Sequence, residues 1–218
     1  MIVSSRLFDP VAVVNYVDYI ESTGTQHIDT GIQASSVLRV VCDISGFPKS
    51  KHSQAVFGGR TSANSADLFG FLAAQDLGAY RADYGAVKSA YSADYSGRFT
   101  IDMNRNVTTC TDGPTVTATT AQFTSTNHIF LFAYNTNGSP QNRATGVRLY
   151  SCKIYENDEL VRDFRPCLDP EGEACLYDKI TKTYFHNAGT GSVSYTHLPA
   201  TRPPPWHPTG RPCGRRPE

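Results

Sequence analysis

Short apolar or aromatic runs, broken by Gly, Asn and Asp, recur about every ten residues along this chain, and no amphipathic stretch exceeds two helical turns. That rhythm is the strongest constraint on the fold. A chain with many short strands and no helices to cover them buries its apolar faces by packing sheet on sheet. The expected fold is therefore all-β, a two-sheet antiparallel β-sandwich. Tyr, Phe, Thr, Ser, Asn and Gly are plentiful and charged residues make up only 18%, which is strand-and-turn composition.

Strands are expected over Val37–Ile44, Gln54–Gly58, Asp67–Leu72, Gly97–Met103, Val107–Cys110, Thr115–Thr119 and His128–Tyr134. Further strands are expected at Ala144–Tyr155, Leu160–Pro166 and Ala174–Asp178. Period-two alternation puts Phe99, Ile101, Ile129, Leu131, Val147 and Leu149 in the core. In Ala144–Tyr155 both alternating sets carry large groups, so that strand reads as covered on both sides.

Two blocks are more specific. Tyr19 to Gly31 reads YIESTGTQHIDTG, and Ser151 to Gly191 reads SCKIYENDELVRDFRPCLDPEGEACLYDKITKTYFHNAGTG. Between them lie FGGR at Phe57 to Arg60, FTIDMNRN at Phe99 to Asn106 and IFLFAYNTNG at Ile129 to Gly138. In type and order these segments resemble a family of laminin-G-like, concanavalin-A-like jelly-roll domains found in gut bacteria and their phages. The resemblance covers about Val17 to Gly191. It implies a concanavalin A-like jelly roll in a phage tail-associated or bacterial surface protein. It also implies occasional use of calcium, although no cofactor is expected from the residues themselves.

The domain is expected to span residues 16–192, after an irregular leader at 1–15. Residues 193–218 break the pattern, with seven of the thirteen Pro and the lone Trp. Val193-Ser194-Tyr195-Thr196-His197-Leu198 resembles the translated end of a sequencing-library adaptor, so this tail is expected to lie outside the domain and to be disordered.

Formal net charge is zero, which leaves no electrostatic footprint for nucleic acid. No apolar run approaches the roughly 20 residues that span a bilayer, and the N-terminus makes a poor signal peptide. Cysteines at 42, 110, 152, 167, 175 and 213 form no CxxC pair, which argues against zinc. They read as buried thiols of a reducing compartment, with a Cys167–Cys175 disulfide as the alternative.

No catalytic signature is present. A glucanase on this fold needs three carboxylates at alternating positions of one strand. Glu156-Asn157-Asp158-Glu159 and Glu171-Gly172-Glu173 read instead as turns. There is no GxSxG, HExxH or phosphate loop. Asp102 to Asn106 begins like a calcium loop but lacks its Gly and terminal Glu, and reads as a hairpin. The chain is accordingly expected not to be an enzyme.

Sugar binding needs aromatic faces beside hydrogen-bonding groups. Tyr80, Arg81, Asp83 and Tyr84 offer that combination, within a segment that also carries Tyr91 and Tyr95, and Asn135 and Asn137 offer a polar loop. The expected partner is a glycan or cell-surface polysaccharide, bound by an adhesion module on a virion or bacterial surface. The alternatives are a decoration or assembly domain that packs on other subunits, and a glycoside hydrolase. If Ala79 to Gly85 is regular strand, however, Tyr80 and Tyr84 share one face and Arg81 and Asp83 the other.

Overall fold

The structure, a computed structural model, describes residues 14–47, 53–74, 79–91, 97–111 and 113–196. Among these every regular element is a strand, and no helix is long and apolar enough to cross a membrane. Two sheets pack face to face. The larger runs, in spatial order, Val116–Thr117, Val107–Cys110, Phe99–Asn104, Leu38–Ser45, Thr145–Glu156, Glu159–Leu168, Ala174–Asp178 and Thr183–Phe185. Asn15–Tyr16, Tyr19–Thr23 and Ser194–Thr196 join it off this path. The smaller sheet runs Ser139–Gln141, Tyr134–Thr136, Gln54–Arg60, Leu68–Ala74, Ala79–Gly85 and Val87–Tyr91. Thr124–Leu131 pairs with Gln54–Arg60 and with Ile28–Ser35. Pairing is antiparallel except for the short contact of Asn135 and Thr136 with Gly59 and Arg60. This is the expected all-β sandwich, compatible with a jelly roll.

Alternation sets the core. Leu38, Val40, Cys42 and Ile44 point inward, opposite Phe99, Ile101 and Met103 of the neighbouring strand. All six expected core residues are buried, each at 5% exposure or less. The smaller sheet contributes rings. Phe57, Phe69, Phe71, Tyr80 and Tyr84 all point into the same cluster.

The turns match their sequence signals. Asn157 and Asp158 adopt positive φ of 51° and 68° between Glu156 and Glu159, a tight hairpin rather than a carboxylate cluster. Asp102 pairs with Arg39 and belongs to the hairpin that Arg105 turns at φ 53°.

Two expectations are corrected by local backbone irregularities. Thr145–Glu156 is not covered on both sides. A register shift between Leu149 and Ser151 changes the phase, so Val147 and Leu149 face the core before it and Cys152 and Ile154 after it. The bulge re-aims the strand and leaves Tyr150, Lys153 and Tyr155 outside the core. His128–Tyr134 is not one strand either. Phe132 takes a left-handed φ of 63°, its N–H donates to the Val56 carbonyl, and the chain bends there. Phe132 stays in the main core while Tyr134 reaches the outer face of the smaller sheet, in a separate cluster with Ala55 and Leu72.

The two specific sequence blocks meet. The Gln26 side chain donates to the Thr190 and Ser192 carbonyls and accepts from the Thr23 and Thr25 N–H groups. The His27 N–H donates to Asn187 Oδ1, and the Ala188 N–H to the His27 carbonyl. The sheet then continues past the boundary expected at Ser192: Val193 is buried in the core and Ser194–Thr196 pairs with Tyr19–Thr23. A chain ending at Ser192 is expected to be about 1–3 kcal/mol less stable than one ending at Thr196, from the lost burial of Val193 and its added strand. Chemical denaturation of the two chains measures this, and equal midpoints would show that the added strand contributes nothing. Residues 197–218 lie outside those described.

The five described cysteines are free and buried. Four of them form two cross-strand pairs, Cys42 with Cys152 at 3.3 Å and Cys167 with Cys175 at 3.5 Å between sulfurs. The expected buried thiols are what is found, and the alternative Cys167–Cys175 disulfide is instead a contact of two thiols, since a disulfide bond is about 2.05 Å. Burial pushes the Cys42 thiol well above its ordinary range, and the hydrogen bond with Cys167 does the same for Cys175.

Candidate functional site

The Ala79–Gly85 strand is regular, and its pairing with Leu68–Ala74 is unbroken. Tyr80 and Tyr84 therefore point into the core and do not form a sugar platform. Tyr80 stacks against Phe47 and Phe71, and its hydroxyl donates to the Phe47 carbonyl. Tyr84 donates to the Ser36 carbonyl and meets Phe123 edge-on. Tyr95 lies outside the described residues, as does the side chain of Tyr91. Asn135 is also structural: buried, it donates to the His128 carbonyl and accepts from the Gly138 N–H. Asn137 is exposed at the tip of that hairpin, at φ 50°.

Arg81 and Asp83 project from the opposite face of the same strand, outward from the smaller sheet. There they join residues that sequence reading did not connect. Asp83 lies opposite both Gly70 and Lys88, and Arg81 lies opposite Leu72. Gly58 pairs with Gly70, and the two glycines leave a window on which the Tyr134 ring rests. Arg60 lies over that ring, 4.1 Å from its centroid. The Tyr134 hydroxyl is buried and has no hydrogen-bond partner among the described residues.

Beside this stack is a depression of about 520 Å³, lined in part by Ser53, Arg60, Arg81, Lys88 and Asn142. Its two arginines are held by hydrogen bonds. Asp83 is fully buried and binds the Nε–Nη2 edge of Arg81 at 2.7 and 3.1 Å. Arg60 donates to Thr136 Oγ1 and Asn142 Oδ1, and Lys88 to Asn64 Oδ1. Burial raises the Asp83 carboxyl above its ordinary value, opposed by Arg81 and, further off, by Arg60 and Lys88. The only signal for Arg60 was its place after Gly58-Gly59, where the backbone has to approach Tyr134 closely.

The combination of rings and polar groups expected at 80–84 is found on the other sheet. The outer face of the larger sheet carries a groove of about 340 Å³ between Tyr16 and Tyr150, with Asp18, Arg98, Arg165 and Lys179 around it. Arg98 lies over Tyr150 at 3.7 Å and is held by a two-point ion pair with Asp43, which raises its pKa further. Tyr150 also exchanges a 3.0 Å hydrogen bond with Ser45. Tyr16 is 40% exposed and begins a row of rings: Tyr177 at 6.4 Å, then Tyr184 at 5.2 Å from Tyr177. Tyr16 and Tyr150 are far apart in sequence, and no periodicity relates them.

For metals, the described residues offer one mixed group, Asp169, Glu173 and His186, whose donor atoms lie within 4.8 Å of one another. Asp169 already accepts from the Glu173 N–H and shapes the loop between Leu168 and Ala174.

No protein-family model matches the chain, and no curated protein matches it. Among solved structures it is similar to a Trypanosoma rangeli sialidase, at TM-score 0.43 and 12% identity over 66% of this chain and 26% of that one. It is also similar to the Trypanosoma rangeli sialidase in complex with the inhibitor DANA, at TM-score 0.39 and 15% identity over 60% of this chain and 21% of that one. The chain thus spans about a quarter or less of those proteins. The expectation that the chain is not an enzyme is corrected and withdrawn, because the solved structures it resembles are of enzymes. Likeness at this level assigns it no reaction and no substrate.

Proposed function

We propose that the chain is a glycan-recognition module that binds through the groove between Tyr16 and Tyr150. The observation that carries this reading is the meeting of the exposed Tyr16 ring and of Tyr150 with charged groups around one opening, of which Arg98 is held in place by Asp43. Sugar rings present apolar faces that stack on aromatic rings, and hydroxyls that bond to groups such as Asp18, Arg98 and Lys179. Arg98 is pre-organised by Asp43, so its ordering cost is met before a ligand arrives. The resemblance of the two end blocks to laminin-G-like domains adds a setting, an adhesion or receptor-binding role on a phage tail or bacterial surface.

A glycan array probed with the full chain tests the reading. Tyr150→Ala and Tyr16→Ala, each verified folded by circular dichroism, are expected to weaken binding to any retained glycan roughly three- to tenfold by loss of a stacking face. Silence across the array would favour the assembly role instead. Binding that both variants leave intact would move the site away from this groove.

A further inference from the structure

We propose that the outer face of the smaller sheet holds a second site, for an oxyanion, which takes a small polar ligand through its carboxylate or phosphate group. This site lies on the opposite side of the sandwich from the groove and does not depend on the glycan reading of that groove.

The charge balance comes first. Arg60, Arg81 and Lys88 line the depression, and the carboxylate bound to Arg81 is Asp83, fully buried beneath the opening. Three cations against Asp83 and Asp67, which caps Thr61 next to Arg60, still leave an excess of positive charge, in a chain whose formal net charge is zero. The donors come next. Asp83 occupies the Nε–Nη2 edge of Arg81, and Thr136 and Asn142 take Nε and Nη2 of Arg60. Nη1 of both arginines makes no hydrogen bond among the described residues, and Lys88 uses one of its three protons, on Asn64. Guanidinium groups with a free edge and a nearby ammonium are the donors that carboxylate and phosphate oxygens select.

The cost of the arrangement is the third point. Arg60 is 5% exposed and Asp83 is 0% exposed on a sheet face where Ala55 and Leu72 already pack against Tyr134. Burying charges in this way stabilises a fold little compared with apolar residues of similar size. What it does supply is a pair of positioned guanidinium groups, Arg81 held by Asp83 and Arg60 by Thr136 and Asn142, with the exposed Lys88 ammonium beside them. The volume, about 520 Å³, is that of a small-molecule site.

The test uses probes that differ only in the oxyanion. Galacturonate and glucose 6-phosphate are titrated into the full chain by calorimetry or NMR, with galactose and glucose as neutral partners and inorganic phosphate alone as a further arm. Binding of either acidic sugar with no binding of its neutral partner is expected, and which acid binds identifies the group. Affinity is expected to fall as salt rises, because screening weakens the cation field. Arg60→Gln is expected to reduce affinity roughly ten- to a hundredfold, and Lys88→Gln by less. Lys88 is exposed, so its variant keeps the test informative if Arg60→Gln fails to fold. Equal binding of acidic and neutral sugars, an adventitious ion only (phosphate bound, both acidic sugars ignored), or binding indifferent to Lys88→Gln and to salt would each overturn the proposal. Loss of neutral-glycan binding in the Tyr16 and Tyr150 variants, with these acid titrations unchanged, would separate the two sites.

Discussion

Tyr80→Ala is expected to destabilise the protein by about 3–5 kcal/mol, the cost of emptying a large aromatic site in a packed core. For a domain of this size that is a fall in melting temperature of roughly 6–20 °C. Tyr80 has 0% exposure and lies among Phe47, Phe71 and Phe99 at ring separations of 5.3, 5.9 and 6.3 Å. Its neighbours come from both sheets, so the cavity sits where the sandwich is held together and has little room to collapse. Tyr80→Phe separates the ring from its hydroxyl. It keeps the stacking but leaves the buried Phe47 carbonyl without this donor, at a cost of about 1–3 kcal/mol. Denaturant midpoints of the two variants provide the check. A loss below 1 kcal/mol for Tyr80→Ala would mean that this ring faces solvent and that the strand is turned over.

Gly70→Ala should be nearly as damaging, about 3 kcal/mol, although it adds a single methyl group. A Cβ at Gly70 would sit 2.7 Å from the Phe57 carbonyl oxygen, 2.9 Å from the Gly58 Cα and 3.0 Å from the Tyr134 ring. Two of these are backbone atoms of a paired strand and cannot move aside without breaking the ladder. The strain would also lift Tyr134 and the Arg60 stacked over it, so acidic-sugar binding should fall along with stability. Gly97→Ala is the control, since a Cβ there meets nothing within 4 Å. Similar melting temperatures for Gly70→Ala and the wild type would show that the Tyr134 ring does not rest on the glycine window.

How much of this was legible in the sequence depends on the range of the interaction concerned. Turn chemistry and strand alternation are local. Asn157-Asp158 and Asn137-Gly138 declare their hairpins through residues that tolerate positive φ. The six core positions came from period two alone, since an antiparallel strand with one buried face has to alternate. Regular alternation likewise separates Tyr80 and Tyr84 from Arg81 and Asp83 within the strand itself. It does not say which pair faces inward, because the two faces of an isolated strand are equivalent until a second sheet covers one of them.

Tertiary structure decided the rest. The shift after Leu149 and the left-handed Phe132 each reverse the facing of the next residues along the chain, and neither has a Gly or Pro to announce it. Both are imposed by pairing with distant strands, which set register through hydrogen bonds between residues far apart in the chain. The two candidate sites have the same origin. Arg60, Arg81 and Lys88 come from three strands, and Tyr16 and Tyr150 from opposite ends of the domain. The sequence by itself determined that this chain forms strands, where they turn and which residues can be buried. Which side chains share a surface was settled only when the sheets paired and packed, because strand order and bulge position are long-range choices that a local pattern does not encode.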